Sequence, residues 1–299
     1  MTGLWVAAAL IGSAAQTARN AAQSHLTRAI GTVGATQVRF LFGLPFALIF
    51  LALVAAITRE GVPLPGPKAL NFTTLGALAQ IGGTALMLRV MQARSFAVTT
   101  AWLKTEPVIV ALSAAVILRD PLSLPALAAI GIATAGVVLS TLKPGGATAL
   151  FRDAGPVLSG LAAAGLFGAS AIGFRGGILG LPSGSFLIRA TTTLALSLTI
   201  QTAILLVWMA LFDRQALRAS FAVWRSSLGA GFLGAFASQF WFIGFSLTSA
   251  ANIRTLALVE VIMAQAVSRY VFRQPVSLRQ LLGMTVILAG VGLLLRTEI

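Results

Sequence analysis

The sequence predicts an all-α membrane protein of about ten transmembrane helices in two inverted five-helix repeats. Three observations carry that expectation. The first is composition. Of the 299 residues 58% are hydrophobic and 9% charged, with a mean hydropathy of +0.94, too apolar for a polar surface to cover in water. The second is that apolar stretches of roughly 20 residues recur, each long enough to cross a core of about 30 Å at about 1.5 Å per residue. The third is an internal repeat. Arg119, Pro121, Ser123, Leu124 and Leu127 return 154 residues later as Arg273, Pro275, Ser277, Leu278 and Leu281. At the same offset Glu106 falls on Glu260, and Ala135-Gly136-Val137 on Ala289-Gly290-Val291, for 11 identities between residues 97–139 and 251–293. Duplicated helical bundles of this kind usually transport solutes.

The elements follow in order. Leu4–Leu26 opens the chain, and its start, Met1-Thr2-Gly3-Leu4-Trp5, lacks the positive region of a cleaved signal, so this helix is expected to stay in the bundle. Val33–Ile57 is next; Phe46 to Ile57 shows no two-residue alternation, which argues against an outer-membrane barrel. The Pro/Gly-rich run from Gly61 to Pro67 then releases the chain before Lys68–Ala93. Ser95–Leu118 contains Pro107, which removes a hydrogen bond to the Leu103 carbonyl and is expected to kink the helix. Leu122–Leu142 ends at Lys143-Pro144-Gly145-Gly146, and the halves divide near Thr141–Asp153, giving residues 1–145 and 146–299. Gly155–Ile178, Ser185–Phe212, Phe221–Leu247, Ala250–Phe272 and Val276–Leu295 complete the second half. Five crossings per half invert the second relative to the first. Gly173-x-x-x-Gly177, Gly229-Ala230-Gly231 and Gly234-Ala235 are expected to let helices approach closely.

Several function classes drop out. The chain has no cysteine and one histidine, His25, so neither disulfides nor a Cys/His metal site is available. No Walker-type loop, His-Glu-x-x-His motif or nucleophile elbow occurs, and Ser140-Thr-Leu-Lys143 is a short chance pattern at a helix end. No enzyme activity and no cofactor are expected. A net charge of +14 does not imply nucleic acid, because basic residues of membrane proteins gather at helix ends against lipid headgroups. Alternating the loops puts seven basic residues on the face holding both termini: Arg59, Lys68, Arg119, Arg175, Arg189, Arg254 and Arg296. Thirteen fall on the other, Arg19 and Arg39 among them. The positive-inside rule would thus place both termini outside, although arginines a turn inside a helix would not count.

The repeated Glu106 and Glu260, the Arg-Asp-Pro-Leu-Ser turn at Arg119–Ser123 with its copy Arg-Gln-Pro-Val-Ser at Arg273–Ser277, the following Gly131…Gly136-Val137 and Gly283…Gly290-Val291 helices, and Arg39 with Arg189 resemble the drug/metabolite transporter superfamily in its EamA-type two-repeat form. The resemblance covers essentially the whole chain and extends to its aromatic amino acid exporters. One departure is that Pro121 and Pro275 stand where the family often has an acidic residue, which weakens the expectation of an ion pair at that turn. The resemblance implies a monomeric, multi-pass secondary transporter of a bacterial inner membrane, exporting amino acids or related metabolites, with cytoplasmic termini. That last expectation opposes the charge count.

Ionisable groups at membrane depth are expensive unless paired or wetted. Glu106 and Glu260 are therefore singled out, as proton or substrate-amine sites or as structural acceptors; their presence in both copies favours architecture. Positions where the copies differ are the better site candidates: Trp102 against Leu256, Lys104 against Leu258, Thr100 against Arg254. On a regular helix Trp102 and Glu106 share a face and Lys104 points away from Glu106. Trp102 and Phe240-Trp241-Phe242 are candidates for a pocket lining, Gln80 and Gln239 for hydrogen bonds to a zwitterion, and His25 for an interfacial group. The expected cavity lies between the halves, lined by Gln80, Trp102, Glu106, Gln239, Trp241, Arg254 and Glu260, with small molecule and lipid as partners. Alternatives are an antiporter of phosphorylated sugars or nucleotide-sugars, which needs a cationic cluster, a small-multidrug exporter, and an embedded enzyme or scaffold.

Overall fold

A computed structural model describes residues 2–93, 103–141, 154–222, 224–270, 273 and 276–297. Their regular structure is all helical: α1 (Thr2–Leu41), α2 (Leu44–Thr58), α3 (Pro67–Ala93), α4 (Glu106–Ile117), α5 (Leu124–Thr141), α6 (Ala154–Leu179), α7 (Phe186–Phe212), α8 (Arg214–Ala222), α9 (Trp224–Leu247), α10 (Ala250–Leu256), α11 (Val259–Tyr270) and α12 (Leu278–Thr297). Among the described residues five stretches, Gln37–Thr58, Leu158–Leu179, Phe186–Phe212, Ser227–Leu247 and Leu278–Thr297, are long and apolar enough to cross a membrane; α4 and α5 are shorter apolar helices.

Where the sequence predicts a break between Leu26 and Val33, helical structure runs on to Leu41. The interruption falls instead at Phe42-Gly43, just before Pro45 in the first turn of α2, where the missing proline N–H is an orphan in any case. A straight helix would separate Arg19 from Arg39 by about 30 Å. Yet both side chains stand beside Gly234, each 3.6 Å from where a Cβ there would lie. α1 is therefore not straight between them, and Arg19 and Arg39 meet α9 at the same level, Gly234.

Two helices are broken at matching places. Lys104 and Thr105 form a turn just before α4, and Ala257 and Leu258 form one between α10 and α11. At the second break the hydrogen bonds tighten to three-residue spacing, Leu258 N–H to the Thr255 carbonyl at 3.0 Å and Glu260 N–H to that of Ala257 at 2.9 Å. Pro107 accounts for the first break. Its counterpart is Val261, so the second break comes from tertiary surroundings.

The packing repeats when the halves are exchanged. The largest interfaces are α3 with α6, α5 with α12, α1 with α9, and α2 with α7. Exchange turns the first into the third and leaves the other two unchanged. At the α5–α12 seam the backbones touch: a Cβ on Gly136 would lie 2.6 Å from Ile287 N and 2.8 Å from the Gly283 carbonyl oxygen, and one on Gly290 would run into Ala133 N and lie 2.8 Å from the Ala129 oxygen. Each contact has its counterpart 154 residues away. Gly173 likewise meets the Gly76 backbone at 2.6 Å, joining α6 to α3, and Gly177 meets Thr73. Gly231 presses on Phe42, whereas Gly229 faces open space, so only part of that expected glycine run is a packing surface.

The repeated turn has a local explanation. Arg119 and Arg273 both take left-handed backbone, with φ of 57° and 53°, at the end of one helix. Ser123 then accepts from Ala126 N–H at 3.2 Å and Ser277 from Gln280 N–H at 3.2 Å, capping α5 and α12. Gln280 answers by accepting from Ser277 N–H at 2.8 Å, a closed capping box. Ser277→Ala is expected to cost about 1 kcal/mol, read as a lower thermal midpoint, with no change in which solutes bind.

Candidate substrate site between the two halves

The broken helices bring ionisable side chains together where the halves meet. Glu106, the first residue of α4, lies with its Oε1 at 3.0 Å from Arg254 Nε of α10. The two are in ionic contact but not aligned as a hydrogen bond. Lys104 Nζ, in the turn before α4, lies 3.7 Å from Glu260 Oε2 of α11. Each repeated glutamate thus faces a cation of the opposite half. The cations occupy non-equivalent positions, since the counterparts of Lys104 and Arg254 are Leu258 and Thr100. The helical-wheel expectation that Lys104 and Glu106 point apart is overturned, because the turn at Lys104-Thr105 breaks the 100° register and lets both reach the second half.

A polar chain continues from Glu260. Gln16 of α1 donates to its Oε2 at 2.9 Å and accepts from the Trp241 indole N–H at 3.2 Å. The Trp241 ring lies against Gly12, its atoms 3.2 Å from where a Cβ would sit, and the Arg254 guanidinium stands 5.9 Å from that ring and 5.6 Å from Phe245, within cation–π range. The charged side chains keep 11–27% of their surface accessible, Lys104 the most. An unpaired charge at such depth costs a few kcal/mol or more, so the cross-pairing is what makes the arrangement tenable.

Four of the sequence-derived residues, Glu106, Trp241, Arg254 and Glu260, therefore converge. Gln80 and Gln239 do not join them. Gln80 accepts from Gln201 of α7 at 2.7 Å, and Gln239 donates to Thr191 of α7 at 2.7 Å, so these amides join α3 and α9 to α7. Trp102 lies outside the described residues, as does Thr100 and the side chain of His25.

One end of the bundle is held by an ion pair at the first repeated turn. Arg175 of α6 bonds both oxygens of Asp120, Nε to Oδ2 at 2.9 Å and Nη2 to Oδ1 at 3.0 Å. Its Nη1 donates to the carbonyls of Phe245, at 2.6 Å, and Thr248, capping the C-terminal end of α9 where helical carbonyls lack partners. Asp120 thus supplies the acid that Pro121 was expected to lack. A cavity of about 210 Å³ opens beside it, lined by Asp120, Ser123, Ser249 and Asn252 among others. Asp120→Asn is expected to cost about 2 kcal/mol through the lost charged hydrogen bonds. Faster maleimide labelling of Ser249→Cys, in a chain otherwise free of cysteine, would register the loosening.

Comparison with family models gives two matches to one family, described as the EamA-like transporter family, over residues 3–142 and 155–296. The chain belongs to the EamA-like transporter family. Like other members of a transporter family, it is a multi-pass membrane protein that moves small molecules. A protein of known crystal structure, 16% identical, matches over 96% of each chain with a TM-score of 0.71, which shows a shared fold. Comparison with curated proteins finds no match.

For an EamA-like transporter the arrangement has a chemical use: paired charges of both signs can exchange partners with a solute without leaving any charge exposed. Sequence reasoning missed Gln16 and Arg175, and it counted Arg19 as a loop residue. Arg19 is 7% exposed in α1, and Arg254 is paired with Glu106 at the crossing. These two belong to neither face, and the seven-against-thirteen count must drop them; Arg175, paired at one end of the bundle, stays in it. The available signal was Gln16 and Arg19 spaced three apart inside an apolar segment, on one helix face.

Proposed function

We propose that this EamA-like transporter exports amino acids or related small metabolites across a bacterial inner membrane by alternating access, its halves 1–145 and 146–299 inverted and rocking about the site between them. The observation that carries this reading is the crossing of Glu106–Arg254 and Lys104–Glu260 at two helix breaks. Discontinuous helices near the midplane, contributed by both repeats, are where secondary transporters commonly bind solute. A zwitterion presents a carboxylate to Arg254 or Lys104 and an ammonium to Glu106 or Glu260, so internal ion pairs give way to pairs with the substrate one for one. Trp241, with Trp102, would receive the side chain, and Gln80 and Gln239 would steady the wall of the cavity through α7.

The test is efflux from proteoliposomes preloaded with mixed amino acids. Selected amino acids should leave faster than from empty liposomes, and Lys104→Gln should slow them by about tenfold, as one lost ionic contact worth about 1.4 kcal/mol would. Absence of flux under several pH gradients would remove the reading. Glu260→Gln addresses coupling separately: an unchanged pH profile in folded protein would exclude this residue as the proton carrier.

A further inference from the structure

The charge crossing is not the only tie between α4 and the chain around α10. Glu106 opens α4 and pairs with Arg254 near the end of α10. Asp120 follows the other end of α4, whose twelve residues span about 17 Å at about 1.5 Å per residue. There Arg175 of α6 joins Asp120 to the carbonyls of Phe245 and Thr248, just before Ser249 caps α10. The end of α4 and the start of α10 also share the cavity beside Asp120, through Ala111 and Ala114 on one side and Ala251 and Asn252 on the other. The two helices therefore run antiparallel, with a charged rung at each end. The second rung lies at the end of the bundle where α12 stops, since Thr297 lines the same cavity. This end is covered. The side chains of Arg175 and Asp120 keep 12% and 9% of their surface accessible, and Ala111 and Ala114 are buried. The bridge is not part of the shared architecture either. At the 154-residue offset Asp120 falls on Gln274 and Arg175 on Ala21, side chains that form no ion pair, whereas the glycine seam and the serine caps recur in both copies.

We propose that Asp120, Arg175 and the Thr248 carbonyl form a gate: the bridge keeps the site closed to this face, and its release is the step that opens it. The proposal rests on the transport reading above and adds what controls access to its site. A solute that takes Arg254 from Glu106 removes the first rung between α4 and α10 and leaves the bridge to hold them. Occupancy of the site and opening of this end are then linked through the two helices that carry both rungs. The location suits a reversible lock. At a bundle end water can take over the partners of a released guanidinium and carboxylate, whereas separating a pair deep in the bundle would strand both charges. Arginine suits it as well, because its planar fork binds the carboxylate on one edge and leaves Nη1 for the carbonyls.

The experiment is maleimide labelling of the full-length protein in liposomes, with one cysteine introduced at a time into a chain that has none. Ala111→Cys, on α4 beside the bridge, reports this side of the crossing. Ser238→Cys, three residues further from the bridge along α9 than Trp241, reports the other. Asp120→Asn should raise the labelling rate at position 111 at least about tenfold, as loss of one charged hydrogen bond does. It should lower the rate at position 238, because in alternating access one face closes as the other opens. A rise at 111 without the fall at 238 would mean general loosening and overturn the gate, and so would no change at 111. Should Asp120→Asn not fold, Arg175→Lys keeps the charge but loses the fork. It should move both rates in the same directions by a smaller factor, and unchanged rates would overturn the gate. Amino-acid efflux by the unaltered protein decides the transport reading separately. With efflux present, a failed labelling result removes the gate alone; with efflux absent, both fall.

Discussion

Glu106→Gln is expected to destabilise the protein by about 3–5 kcal/mol, because it leaves the Arg254 guanidinium buried without its counter-charge. Adding Arg254→Gln to the same chain should restore most of the loss, since two neutral amides at 3.0 Å no longer carry an unmatched charge. The measurement is a double-mutant cycle on thermal or detergent-induced unfolding. Additive losses would show that the pair is a proximity without energetic coupling. The restored double variant should still be poor at transport, which separates the electrostatic upkeep of the bundle from what the site does with a solute.

A second large effect is expected at the α5–α12 seam. Gly290→Ala drives a methyl into the Ala133 backbone nitrogen, and backbone on backbone has no side chain to swing aside. A cost of about 3 kcal/mol or more is expected, read as loss of monodisperse protein after extraction, and Gly136→Ala should behave alike. Gly131→Ala and Gly292→Ala are the controls. A Cβ at either meets nothing within 4 Å, so each should be neutral or gain up to about 1 kcal/mol from helix propensity. Equal damage at all four positions would mean that helix composition, not the close approach, sets the stability.

The fold was legible where apolar length and helix punctuation coincide. Ser185–Phe212 differs from α7 by one residue at its start and shares its end, and Gly155–Ile178 differs from α6 by one residue at each end, since a serine cap or a Gly-Pro loop marks them chemically. The second helix break was not legible. Pro107 signals the first, but Val261 carries no such mark, and the interruption at Ala257-Leu258 depends on neighbours distant in sequence. For the site, the two glutamates stood out as isolated acids in apolar helices, and comparison of the copies picked out Lys104 and Arg254. Their partners did not follow, because a helical wheel assumes an unbroken helix and cannot place a charge against another helix. Arg175 was hidden for a related reason: one polar residue near a predicted helix end reads as interfacial until the neighbouring helix is in place.

The seam between α5 and α12 has a consequence for how such a protein can be encoded. Gly136 meets Ile287 as Gly290 meets Ala133, the isologous geometry of a homodimer about a twofold axis. Two identical half-length chains could form it with no residue specialised to either side. Symmetry would then oblige both protomers to carry the same cation at the same position, and a lysine 104 in one would be a lysine in its twin. Joining the halves in one gene lifts that obligation. The scaffold can stay symmetric while the charge cluster between the halves becomes lopsided, with Lys104 serving one glutamate and Arg254 the other.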